Sequence, residues 1–453
     1  MPALHVDFQH PVQKIKPMHA MGQPPFAPSG ASLDFSHMRH LQNARVPYSR
    51  LHDVGGPYGG NRYVDIPNLF RDFDADENDP ASYDFAFTDA LLEAMAAYEL
   101  KPIFRLGVTI ENQASIKAYR LDPPKDFHKW ARICEHVIRH YNEGWANGYH
   151  YDITYWEIWN EPENGPEPAT NQMWTGTPEQ YFALYDVTAK HLKACFGDRI
   201  KVGGYGSCGF AALFFDPERY GFPNAPKRPY DAERVVRYGF HITFLHQFLA
   251  YIKAHQSPID FFSWHSYSDV EKTVIMDQYL HRVLTEYGYG GLETHLNEWN
   301  CACGNQNHGT SFASASVAAM LCAMQNAPTD LLCYYDSRLQ ASAYGGLFAP
   351  LTYEPVCTYY PFLAFGHLYA LGTQVACECT EAQLYALAAT GAEGNALMIS
   401  NCAKAARTVT TNLTGVWEAY RIDRNHLMTP ETIDPTSFTI QANQVIFFKQ
   451  PTT

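Results

Sequence analysis

A chain of 453 residues with 46% hydrophobic and 14% aromatic content is long enough for one large domain and a small one, with a sizeable core. A formal net charge of −14 argues against nucleic acid and against an anionic membrane as partner. No apolar run approaches the about 18 residues of a membrane span; the longest candidate, at 313–324, is broken by serine and too short.

The first residues, Met1-Pro2-Ala3-Leu4-His5-Val6-Asp7, carry neither a basic segment nor an apolar one, so no secretory leader is read and a cytoplasmic location is expected. Eleven cysteines, isolated or spaced as Cys301-x-Cys303 and Cys377-x-Cys379, fit neither a disulfide framework nor a zinc motif; reduced thiols are expected. Leu4 to Phe8 and Val12 to Met21 read as strands. Phe35, Met38 and Leu41 recur at helical spacing. Val46 to Leu51 is a strand, and 55–82 begins as a Gly/Pro-rich rim loop. Phe87 to Tyr98 is a helix; Pro102 to Leu106 is a strand ending at Gly107.

Trp130 to Tyr141 form an amphipathic stripe ahead of the strand Tyr155–Trp159. Thr177-Pro178 starts the helix of Tyr181 to Leu192, as cap and first residue. Val202-Gly203-Gly204 is a short strand, followed by a second long rim loop at 205–238. Phe244 to Ile252 is a helix leading to the strand Asp260–His265. Val274 to Tyr287 leads to the strand Glu293–Glu298, and the small-residue helix Ser311–Met324 to the strand Leu331–Tyr335. A last helix falls near Phe362 to Leu371.

Eight strands alternating with helices, without a GxGxxG or Walker loop, predict a parallel α/β fold closed as a (β/α)8 TIM barrel over 12–370. From Gly372 short alternating runs such as Val445-Ile446-Phe447-Phe448 take over. They predict a small antiparallel β-sandwich of 371–453, joined by 1–11.

Chemistry concentrates at two strand ends. Tyr155-Trp156-Glu157-Ile158-Trp159-Asn160-Glu161-Pro162 is an apolar strand that a proline stops just after a carboxylate. His295-Leu296-Asn297-Glu298-Trp299-Asn300 places a second carboxylate at the end of the seventh strand. Such ends form the catalytic rim of a barrel. Cleaving a glycosidic bond needs one carboxyl that holds its proton, by burial and a neighbouring charge, and one kept ionised by hydrogen bonds.

The first of these stretches resembles the acid/base signature of the retaining (β/α)8 glycosidases. The chain as a whole is similar to glycoside hydrolase family 39, which includes β-xylosidases and α-L-iduronidase. Ser49-Arg50-Leu51-His52, Tyr83-Asp84-Phe85, Lys101-Pro102-Ile103-Phe104, Lys201-Val202-Gly203-Gly204 and Asp260 to Tyr267 resemble that family's segments in order. The resemblance implies Glu161 as acid/base and Glu298 as nucleophile, with Asn160 on the sugar's 2-hydroxyl and Tyr267 donating to Glu298. His52 and His265 would line the glycone pocket. Trp299 would be its floor or plain core, and Tyr335 and Asp336 complete the sugar-binding candidates.

The sequence departs from the family at Tyr335-Asp336-Ser337-Arg338-Leu339-Gln340, which lacks the acidic residues expected after the eighth strand, and at Gly107 to Asn112. Arg338 is expected to pair with Asp336. The reading is an exo-acting retaining hydrolase of a terminal, β-xyloside-like sugar, with the two rim loops closing over the site. It needs no metal or cofactor, takes an oligosaccharide or glycoside as substrate, and leaves the chain free to form a homo-oligomer. The alternatives are an α-L-arabinofuranosidase or β-glucosidase of the same clan, or an inactive carbohydrate-binding barrel.

Overall fold

The computed structural model describes residues 3–29, 32–56, 62–109 and 121–451. Part of the first rim loop (57–61) and Ile110, Glu111 and Asn112 after the third barrel strand lie outside them. Strand β1 (Leu4–Lys14) precedes eight parallel strands: β2 (Ala20–Gly22), β3 (Tyr48–Leu51), β4 (Lys101–Leu106), β5 (Tyr155–Ile158), β6 (Lys201–Ser207), β7 (Phe261–Ser266), β8 (Glu293–Trp299) and β9 (Leu331–Tyr334). They close into a barrel in chain order, β9 pairing with β2 through Cys333 and Ala20. The single strand expected over Val12–Met21 is two: Val12 and Lys14 belong to β1. Pro17, lacking an N–H, falls in the break.

The helices follow as α1 (Arg39–Asn43), α2 (Ala86–Ala97), α3 (Phe127–Glu143), α4 (Pro178–Phe196), α5 (Ala232–His255), α6 (Val270–Tyr287), α7 (Ser311–Gln325) and α8 (Tyr360–Leu371). Thr177 and Gln180 form a reciprocal capping box at the start of α4, with Pro178 in its first turn. The second rim loop ends earlier than its pattern predicts. Asp231 caps Arg234 and starts α5 at Ala232, where the first turns are exposed and so carry no apolar stripe. Among the described residues no helix is long and apolar enough to cross a membrane.

Inward side chains stack in layers. Ala20, Ile103, Tyr155, Phe261, Leu331 and Cys333 fill the bottom of the barrel. Two residues further along their strands, Arg50, Glu157 and Ser263 replace them with a hydrogen-bonded polar layer. That layer is the base of the site.

Past the barrel come β10 (Thr373–Cys379), β11 (Leu384–Gly391), β12 (Gly394–Asn401), β13 (Arg407–Thr410), β14 (Glu418–Asp423), β15 (His426–Glu431), β16 (Ser437–Ile440) and β17 (Gln444–Lys449). Seven strands form one antiparallel sheet in the order β1-β10-β11-β12-β17-β14-β15. The ribbon β13–β16 covers one face through Val409, Phe438 and Ile440. Helices α7 and α8 cover the other. Helix α7 is built of alanine and serine and is buried nearly all round, so the sheet backbone comes close enough for Ser400 Oγ to donate to Ala315 O at 2.7 Å.

Candidate active site

Glu161 follows β5 and Glu298 lies in β8, and both line one cavity of about 480 Å3 at the C-terminal end of the barrel. Each reaches it by a local departure from strand geometry. Trp159 (φ 71°) and Glu161 (φ 45°) take left-handed backbone, which costs free energy for non-glycine residues and is held here by hydrogen bonds. Trp159 N donates to Leu106 O at 2.7 Å and Glu161 N to Tyr205 O at 3.0 Å.

In β8, strict alternation would put Asn297 and Trp299 inside and Glu298 outside. The register shifts by one residue against both neighbours, Trp264 facing Leu296 but His265 facing Glu298. This bulge turns Asn297 and Glu298 both inward, and sends Trp299 outward onto Tyr334 and Phe362. Trp299 is therefore fully buried between strand and helix and does not line the cavity. Of its two readings, core is the one the structure takes.

Arg50 joins the parts of the site. Its Nε donates to Glu157 Oε2 and its Nη1 to Glu298 Oε1, both at 2.7 Å, and its Nη2 to Asn160 Oδ1 at 2.5 Å. Burial favours neutral Glu157, but Arg50 and the donors Ser263 (2.6 Å) and Asn297 (2.7 Å) outweigh it and hold the group ionised. Tyr267 Oη donates to Glu298 Oε2 at 2.7 Å, so Glu298 accepts from a cation and a phenol at once. His52 Nε2 lies 3.7 Å from Glu298 Oε1; burial, then Arg105 and Arg50, push its pKa down and keep it neutral.

The sequence predicts burial and charge to keep Glu161 protonated; the surroundings act otherwise. Burial does raise its pKa, but His265 Nδ1 at 2.7 Å and Asn164 Nδ2 at 2.7 Å from its carboxyl oxygens outweigh that and lower it. Against its own burial, His265 is pushed up by Glu298 and Glu161. The two shifts oppose each other across one 2.7 Å hydrogen bond, which ties the two groups together as a proton-sharing pair. Gly206 (φ 64°) lies beside this pair: a Cβ there would stand 3.0 Å from Asn160 Oδ1 and 3.2 Å from His265 Nε2.

At the end of β9, Tyr335 lines the cavity and donates to Asp53 Oδ2 at 2.8 Å. Asp336 is fully buried, does not line the cavity, and accepts from Arg338 Nε at 2.8 Å, the expected pair. Residues not singled out from the sequence also line the cavity: Asp53, Asn164, Cys208, Arg228, Arg237, Tyr238, His241 and Tyr344. Glu161, His265 and Glu298 have ligand atoms within 4.8 Å of one another, as do Glu135, His191 and Cys195 on α3 and α4. In the first group Arg50 already pairs with Glu298, and His265 is hydrogen-bonded to Glu161.

Glu163, two residues beyond Glu161, is buried with Oε1 accepting from Ser207 Oγ (2.9 Å) and Cys208 N (2.7 Å). Burial and the Glu161 charge push it up to about 8. From the unfolded value of 4.5 up to about 8 the unfolded chain releases this proton while the folded chain keeps it, so stability falls as pH rises through that window. Glu163→Gln removes the titration. Its stability relative to wild type should improve by on the order of 2–4 kcal/mol from about pH 5 to about pH 8. Denaturant titrations at the two pH values test this, and a pH-independent difference would refute it.

The model of glycosyl hydrolases family 39 matches residues 28–328. A β-xylosidase of Geobacillus stearothermophilus is 26% identical over 165 residues, covering 33% of this chain and 31% of the relative. The match thus spans about a third of that enzyme's length. In fold, the chain is similar to a glucosidase from Croceicoccus marinus (TM-score 0.72, 20% identity, 98% of each chain). It is also similar to a family 39 β-xylosidase from Caulobacter crescentus (TM-score 0.64, 16% identity, 98% of this chain and 99% of that one). With the family model covering well over half of its length, this chain belongs to glycosyl hydrolases family 39.

Proposed function

We propose that the chain is an exo-acting, retaining glycoside hydrolase that removes a terminal, β-xyloside-like sugar by double displacement. The observation that carries the reading is the separation of the two carboxylates: an oxygen of Glu161 and one of Glu298 lie within 4.8 Å across one cavity. Retaining enzymes hold the pair about 5–5.5 Å apart, and inverting ones about 6.5–9.5 Å, to admit a water. Glu298, oriented by Arg50 and Tyr267, attacks the anomeric carbon. The leaving oxygen takes one proton from Glu161, which leaves that group as a carboxylate beside His265 Nδ1 at 2.7 Å. Glu161 then deprotonates the water that releases the sugar, and that proton returns to the Glu161–His265 pair.

Asn160, fixed by Arg50, faces the 2-hydroxyl, and His52 and Tyr335 border the glycone. The second rim loop contributes Ala211 and Arg228, and the start of α5 contributes Arg237 and Tyr238, to the cavity wall, which supports action at chain ends. A β-glucosidase of the same clan is the second reading, since Asp336 turns onto Arg338 and the end of β9 offers the sugar no free carboxylate of its own. Proton NMR of the first product from a panel of nitrophenyl β-glycosides tests both. The β-anomer should appear first and mutarotate later, with xyloside the best substrate. An α-anomer appearing first would end the retaining assignment.

A further inference from the structure

The carboxylates that line the cavity are all partnered: Asp53 by Tyr335, Glu298 by Arg50 and Glu161 by His265. The two arginines that line it are not balanced in this way. Arg228 Nη2 reaches only Ser268 Oγ, at 3.4 Å, and its guanidinium lies 5.9 Å over the Phe214 ring. Arg237 donates through Nε to Asn164 O (2.9 Å) and through Nη2 to Asn164 Oδ1 (3.3 Å). Neither forms an ion pair among the described residues. Both side chains are held by neutral groups, with guanidinium N–H donors left over at the cavity wall.

The position of Arg237 relative to the chemistry is fixed by Asn164. The same amide that accepts from Arg237 donates to Glu161 Oε2 at 2.7 Å. Arg237 therefore stands on the side where Glu161 meets the departing group, away from the Arg50, Asn160 and Glu298 cluster, and Arg228 lines the same cavity. A chain of net charge −14 repels anions in general. Two arginines without acidic partners place local positive charge on the cavity wall.

We propose that the leaving-group side of this site recognises a carboxylate, such as that of a uronic acid residue, through Arg228 and Arg237. The planar guanidinium fork matches a carboxylate bidentately, and the Tyr238 ring on the same wall offers a flat face to the sugar that bears it. This rests on the proposed hydrolase function and adds the class of leaving group.

The test uses two aryl glycosides of the preferred glycone that differ only in a ring carboxylate or carboxamide. Dividing the carboxylate-to-carboxamide ratio of kcat/KM in wild type by the same ratio in Arg228→Gln cancels intrinsic leaving ability. A quotient of about tenfold or more is expected, since a charge-assisted hydrogen bond is worth at least that factor. Arg237→Gln should give a quotient in the same direction, and added salt should lower the wild-type ratio. Brisk turnover of both glycosides with quotients near one in both variants would overturn the arginine assignment alone. Turnover of neither glycoside by the wild type would overturn it together with the proposed function.

Discussion

Glu298→Gly is expected to lower kcat for an aryl glycoside by about 10^5-fold, roughly 7 kcal/mol of transition-state stabilisation. The substitution removes the atom that would bond to the anomeric carbon and leaves the Arg50 Nη1 and Tyr267 Oη donors aimed at an empty volume. KM should move far less, because the groups around the glycone stay in place. Azide, small and anionic, fits between the same donors. With an activated leaving group it should restore turnover and yield the glycosyl azide of inverted configuration. Variant activity close to wild type would remove Glu298 from the reaction, and a recovered azide of retained configuration would place the nucleophile elsewhere.

The second large effect is on stability. Arg50 is 1% exposed, so replacing it with methionine strands the buried carboxylates of Glu157 and Glu298 without their shared cation. Removing one partner of a buried pair typically costs about 3–5 kcal/mol. Urea unfolding of Arg50→Met should show a loss of that size. Adding Glu157→Gln should recover about 1–2 kcal/mol of it, since the two residues are directly coupled. A midpoint unchanged from wild type, or a double variant no better than the single, would show that Glu157 does not depend on Arg50 for its charge.

What the sequence conveyed and what it withheld divide along physical lines. Tyr155–Trp159 and Glu293–Glu298 were legible as strands because a buried parallel strand is a short apolar run with a clear stop. The carboxylates at their ends followed. Arg50 and Glu157 escaped notice as a site because each looks like a lone charge in an apolar stretch. The available signal was spacing: Arg50 stands two residues before His52, and Glu157 two after Tyr155, so each shares an inward face. Trp299 shows the opposite failure. Alternation assigned it a face, and one extra residue in β8 reversed that assignment, a change that only the pairing with β7 and β9 reveals. The Glu161–His265 pair was equally hidden, because it depends on a contact between residues 104 positions apart.

Helix α7 has one further consequence. It belongs to the barrel by connectivity, yet its alanine and serine surface is covered by the barrel on one side and the antiparallel sheet on the other. Such a helix has no amphipathic stripe with which to face water, so stripping off the sheet would leave it without a solvent-compatible surface. Strand β1, at the opposite end of the chain, completes the same sheet against β10. Barrel and sheet are therefore expected to melt as a single cooperative unit, with one calorimetric transition, because neither can expose the face that α7 presents to the other.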